Sequence, residues 1–262
     1  MTTRVATGAR LPRVVPAAII AAWAAAVAAE ATGFGARLHH DALIEHGPPL
    51  WVGSLAFLLA WQVMVAAMML PSSLPLIRMF GVAARGQERP GAALAGLLAG
   101  YLLVWTAFGA MAFIADVAVH RTVDATPWMA ERPWLVSGTV LLTAGWFQFT
   151  GLKDRCLDKC RHPAMFMTRY YRRGPRHAFE LGVRHGGFCL GCCWALMLLM
   201  FAAGVAHLAW MGALTALMVY EKVGRRGREV GRAAGVGLVL LAAAVLLQPS
   251  WLPHLLLVPF SE

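Results

Sequence analysis

Five cysteines stand in two groups in the second half of the chain, and both groups have helical spacing. Cys156 and Cys160 are four residues apart, and Cys192 and Cys193 follow Cys189 by three and four residues. If each group lies on a helix, its thiols share one face. Thiolates bind soft d¹⁰ ions such as Cu(I) and Zn(II) in preference to hard cations. The spacing therefore predicts a soft-metal site.

Methionine and histidine side chains extend this set of donors. Met64 and Met68 share a helix face in an apolar run, and His185 lies four residues before Cys189. Thioether together with thiolate suits Cu(I), so copper is the first candidate metal and zinc is the alternative. Core packing is the competing interpretation for the two methionines, because methionine commonly fills gaps between helices.

The cysteines leave two other functions open. Cys189 and Cys192 form a Cys-x-x-Cys pair, which a membrane thiol oxidoreductase would use to exchange electrons. A thioredoxin-like pair belongs to a βαβ unit, and the sequence predicts no strand. The third possibility is a membrane subunit whose cysteines hold structural zinc. The chain has no serine-hydrolase elbow, Walker loop or zinc-protease motif, so an enzyme is the less favoured class.

The composition indicates that these residues are positioned inside a membrane protein. Of 262 residues, 59% are hydrophobic and 14% are charged, whereas soluble domains are about half apolar and a quarter charged. Lys and Arg concentrate in alternate segments between the apolar runs, which is the positive-inside pattern. We therefore predict an all-α, polytopic transmembrane helix bundle in a bacterial cytoplasmic (inner) membrane. Residues 1–262 would form a single integral membrane domain.

The apolar runs predict about seven spans, with the N-terminus in the cytoplasm. The runs are 14–32, 50–70, 92–115, 134–152, 188–203, 209–220 and 233–247. The stretch 188–219 is too long for one span, so we expect a turn near 204–208. A cleaved signal peptide is the alternative for the first run, 14–32. A basic cytoplasmic loop over 153–187 overlaps the cysteine-rich region 156–193.

The net charge of +10 points to lipid rather than to nucleic acid. Its alternating distribution orients the spans, and it brings basic side chains to the anionic head groups of the inner leaflet. We expect contacts with membrane lipids and no binding of nucleic acid. A metal site at this face also predicts a soluble metal carrier or a membrane partner.

Four strings of residues resemble a known family. They are Met64–Pro71, Tyr101–Gly109, Cys156–Cys160 and Arg184–Met197. Together they are similar to a bacterial domain-of-unknown-function family of predicted metal-binding integral membrane proteins, over about residues 50–225. The resemblance implies a helical inner-membrane protein with a metal site at the five cysteines and His185. It implies no particular substrate or reaction.

Overall fold

The protein is helical throughout the part that the structure describes. The computed structural model describes residues 12–38, 40–45, 48–203 and 208–248. The helices are α1 (Val14–Ala31), α2 (Phe34–Arg37), α3 (His40–Glu45), α4 (Leu50–Ala84), α5 (Pro90–Asp124), α6 (Pro127–Ala130), α7 (Trp134–Phe147), α8 (Gly151–Arg161), α9 (Pro163–Tyr170), α10 (Pro175–Ala203), α11 (Leu208–Val223) and α12 (Gly227–Leu247). The prediction of an all-α fold is confirmed.

Five of the described helices are long and apolar enough to cross a membrane. They are α1, α4, α5, α10 over Pro175–Met200, and α12. Helices α7 and α8 are long and apolar enough only when they are taken together, and they meet at a bend of 63°. The described residues thus offer five candidate spans, or six with the bent pair.

The predicted count of about seven spans and the cytoplasmic N-terminus stay predictions. Helix α11 has 16 residues, which is short for a membrane span. The turn expected near 204–208 falls outside the described residues except for Leu208. The long apolar helices are compatible with a membrane protein.

Helix α4 continues beyond Pro71, where the sequence predicts the end of a span. Proline has no N–H, so the carbonyl of Ala67 loses its helical partner. The indole Nε1 of Trp23 in α1 donates to that carbonyl at 3.1 Å. A neighbouring helix can satisfy a freed backbone group in this way. Helix α4 therefore runs on to Ala84.

The segment predicted as a basic loop, 153–187, is largely helical. It contains most of α8, all of α9 and the first turns of α10. Helix α10 begins at Pro175 rather than near residue 188, because its early turns already bury apolar side chains. Ala178 and Leu181 are among them. This start places the α10 cysteines near the middle of a long helix.

Helices α5 and α10 pack backbone against backbone. A Cβ built on Gly182 would overlap the carbonyl oxygen of Leu97, and one built on Gly100 would overlap that of Phe179. Small residues at such a contact let two helices approach closely. The contact sets the position of α10, which also packs against α7, α8 and α11.

We expect Gly182→Ala to destabilise the protein by about 1–3 kcal/mol, the usual range for overpacking a tight core. The added methyl group must push α10 away from α5, because the obstructing atoms belong to the backbone. Thermal unfolding of the purified protein in detergent measures the effect. Gly187→Ala on the same helix is the matched control, since its Cβ would meet nothing within 4 Å. Equal melting temperatures for the two variants would contradict this packing.

Candidate metal centre

The thiols of α8 and α10 meet where these two helices pack together. The five free cysteines are Cys156 and Cys160 on α8, and Cys189, Cys192 and Cys193 on α10. The Cys192 thiol lies close enough to those of Cys160, Cys189 and Cys193 to interact with them. Four of the sulfur atoms therefore form one connected group with Cys192 in the middle.

Burial separates Cys156 from the other four cysteines. Cys189, Cys192 and Cys193 are at most 1% exposed, and Cys160 is 8% exposed. Cys156 is half-buried, with its Sγ 2.6 Å from where a Cβ on Gly191 would lie. The glycine at this position lets α8 bring Cys156 against α10.

In this conformation the thiols do not surround a single point. The Sγ atoms of Cys192 and Cys193 donate to the backbone carbonyl of Cys189, at 3.0 and 2.8 Å. Within the described ranges, no three His, Cys, Asp or Glu side chains have the arrangement of a metal site. Rotating the side chains of Cys192 and Cys193 about Cα–Cβ would release their thiols from that carbonyl. The sulfur donors themselves match a soft ion.

A methionine of α4 adjoins the thiols. The Sδ of Met69 lies 3.7 Å from the Sγ of Cys193. Met64 and Met68 are buried in the same helix, on a helix line that does not include Met69. The spacing of Met64 and Met68 predicts these two residues as methionine donors and leaves out Met69. Met69 lies on the neighbouring line of the helix, four residues before Ser73.

Two buried polar side chains that the sequence analysis did not single out contact Cys189. The Nζ of Lys222 and the hydroxyl of Tyr101 each lie 3.1 Å from its Sγ. Lys222 is 5% exposed and Tyr101 is 3% exposed. Lys222 also donates to the hydroxyl of Ser72 at 2.8 Å. A buried ammonium needs a compensating partner, and a Cys189 thiolate would supply the negative charge.

His185 reaches Cys189 through two intervening side chains. Its Nε2 lies 3.1 Å from the hydroxyl of Ser73, and that hydroxyl lies 3.2 Å from the hydroxyl of Tyr101. Tyr101 in turn contacts Cys189. The imidazole also stacks on the Tyr101 ring, with centroids 5.6 Å apart. His185 therefore orients the polar groups that touch the thiol.

A buried ion pair holds α8 in place beside the thiols. The Nζ of Lys153 lies 2.7 and 2.9 Å from the two carboxylate oxygens of Glu221 on α11. The two side chains are 3% and 1% exposed. At the other end of α8, Arg161 donates to the backbone carbonyl of Glu221. Both ends of α8 are thus tied to α11, and this keeps Cys160 against Cys192.

Comparison with known families agrees with the chemistry of this region. A family model described as "PpoB2: Copper chaperone" matches residues 58–245. The matched range contains all five cysteines, His185, Met69 and Lys222. Comparison with curated proteins and with solved structures gave no match. Because the family model covers well over half of the chain, the protein belongs to the PpoB2 copper chaperone family.

Proposed function

We propose that the protein is a membrane-embedded copper chaperone of the bacterial inner membrane. It holds Cu(I) on the thiols between α8 and α10 and passes the ion to a partner. The observation that carries this proposal is the contact of Cys160 with the α10 thiols, in a chain of a copper chaperone family. The long apolar helices support the membrane location.

The proposed ligands centre on Cys192. Its thiol interacts with three other thiols, so an ion bound to Cys192 needs only short side-chain movements to gain a second sulfur. Met69 is the thioether next to this group. Cys156 lies at the rim of the site, where it would release the ion to a partner.

The remaining predicted ligands take supporting positions in this proposal. His185 orients Tyr101 and Ser73 around Cys189. Met64 and Met68 precede Met69 on α4, where they would offer thioethers to an ion that leaves the thiols. The ion would be exchanged with a soluble metal carrier or a membrane partner. Anionic lipids would contact the exposed arginines.

Metal transfer in detergent solution tests this function. The purified, reduced protein is mixed anaerobically with the Cu(I) complex of bicinchoninate, and the loss of the complex's colour is followed. We expect the wild-type protein to withdraw Cu(I) and to release it again to a stronger chelator. A variant with all five cysteines changed to serine should withdraw none. Met111→Leu, an exposed methionine on α5, is the control. Equal uptake by the serine variant would overturn the proposal.

We expect Lys222→Gln to weaken Cu(I) binding by about 30-fold or more. Removing one partner of a buried charge pair costs about 2–5 kcal/mol, and about 1.4 kcal/mol is tenfold in affinity. The ammonium of Lys222 balances the negative charge that thiolates bring to the site, and glutamine keeps a side chain of similar length without the charge or a soft donor. Competition titration against bicinchoninate measures the affinity. Arg176→Gln, at an exposed position of α10, is the control, and unchanged affinity in Lys222→Gln would contradict this role.

A further inference from the structure

A cavity of about 300 Å³ opens where α8 meets α9. Its lining includes one histidine, one methionine and two aromatic side chains, His162, Met165, Phe166 and Tyr170. Lys159, Arg169 and Asp158 also line it, and the guanidinium groups of Arg169 and Arg184 lie over the Tyr170 ring, at 5.5 and 5.1 Å. Two cationic side chains against one carboxylate, which also pairs with Arg228, leave the mouth of the cavity with a net positive charge.

His162 and Met165 present soft donors to this cavity. The Nδ1 of His162 lies 2.9 Å from the carbonyl oxygen of Asp158. This contact turns Nδ1 to the backbone and leaves Nε2 as the ring nitrogen that could bind a metal. Met165 is 66% exposed, although methionine is usually buried. Imidazole and thioether are both donors that Cu(I) accepts.

Phe166 separates this cavity from the polar groups around the thiols. Its side chain is 3% exposed and lines the cavity. On its other side, its ring centroid lies 5.8 Å from that of His185. Behind His185 follow Ser73, Tyr101 and Cys189 in hydrogen-bond contact.

We propose that His162 and Met165 form a loading site, at which the protein accepts Cu(I) from a soluble donor before the ion moves to the thiols. Phe166 is the barrier between the loading site and the buried cysteines. The inference rests on the proposed function and adds the place at which copper is received. The positive mouth would attract an anionic copper complex.

The transfer is a ligand exchange without a change of oxidation state. The donor's bonds to Cu(I) break as His162 Nε2 and Met165 Sδ bind the ion. These bonds break in turn as thiolate sulfur binds it, and the displaced thiol protons go to water. Among the proposed thiol ligands, Cys160 is nearest to the loading site along the chain, two residues before His162.

The rate of copper loading distinguishes a loading site from the final ligands of the ion. The purified full-length protein is mixed in a stopped-flow instrument with the anionic Cu(I)–bicinchoninate complex. For the double variant His162→Ala, Met165→Leu, we expect loading to slow by about tenfold, which is about 1.4 kcal/mol in the barrier. The equilibrium affinity for Cu(I) should stay unchanged, because the final ligands are intact.

The control is the double variant His177→Ala, Met111→Leu, which removes a partly exposed histidine and an exposed methionine from outside the cavity. It should load at the wild-type rate. An unchanged loading rate in His162→Ala, Met165→Leu would overturn the loading site. So would a parallel loss of equilibrium affinity, because the two residues would then be final ligands. A wild-type protein that takes up no Cu(I) through its cysteines would instead overturn the proposed function.

Discussion

Changing Cys189 and Cys192 together to serine is expected to lower the affinity for Cu(I) by more than about a hundredfold. Loss of a group that only supports a ligand typically lowers metal affinity by about 10–100-fold, and here two ligands are lost. Serine keeps the shape of the side chain but replaces a soft sulfur with a hard oxygen that stays protonated at neutral pH. Cys192 lies in the middle of the thiol group, and Cys189 contacts Lys222. Competition titration against bicinchoninate gives the affinity.

Cys156→Ser is the matched variant for this prediction. Its thiol is half-buried at the rim, so we expect a much smaller loss of equilibrium affinity. Thermal unfolding of the metal-free proteins serves as a check that each variant is folded. If Cys156→Ser matched the double variant, or if the double variant kept the wild-type affinity, the proposed centre at Cys192 would be contradicted.

Glu221→Gln is expected to destabilise the metal-free protein by about 3–5 kcal/mol, the usual cost of breaking one side of a buried ion pair. The substitution leaves the Lys153 ammonium buried without its carboxylate. The same change loosens the connection of α8 to α11, so Cu(I) affinity should fall as well. Thermal unfolding in detergent, followed by tryptophan fluorescence, measures the loss of stability.

Two comparisons make this prediction specific to the buried pair. The variant Lys153→Met, Glu221→Leu removes both charges, and apolar replacement of a buried pair is often neutral or stabilising. We therefore expect it to recover most of the lost stability. Asp158→Asn breaks an ion pair with Arg228 whose side chains are nearly half exposed, and it should cost about 0–1 kcal/mol. A double variant as unstable as Glu221→Gln would contradict the role of the pair.

The sequence predicts the helical fold well because its apolar runs are long and separated by basic segments. The prediction of helix ends is wrong where a contact with a neighbouring helix overrides the local preference of the sequence. Pro71 ends a helix by local rules, but the Trp23 indole satisfies the freed carbonyl and α4 continues. Polar residues after position 174 suggest a loop, but Gly182 lets α10 pack against α5 and extends the helix.

The candidate site is predictable in its cysteines and not in the groups around them. Cysteine spacing predicts that thiols share helix faces, and the structure adds the contact between α8 and α10. Lys222 belongs by sequence to a basic segment, and only the packing of α11 against α4 and α10 places its ammonium beside Cys189. Met69 likewise depends on the rotation of α4, which the spacing of Met64 and Met68 does not determine.

The most direct test of the central claim is the metal content of the protein purified under reducing, anaerobic conditions. Mass spectrometry would compare the wild type with the variant that has all five cysteines changed to serine. We predict stoichiometric copper in the wild type and none in the variant. Cysteine-dependent zinc in place of copper would contradict copper handling and favour a structural zinc site. No metal in either protein, with a titratable dithiol in the wild type, would contradict the metal centre and favour a thiol oxidoreductase.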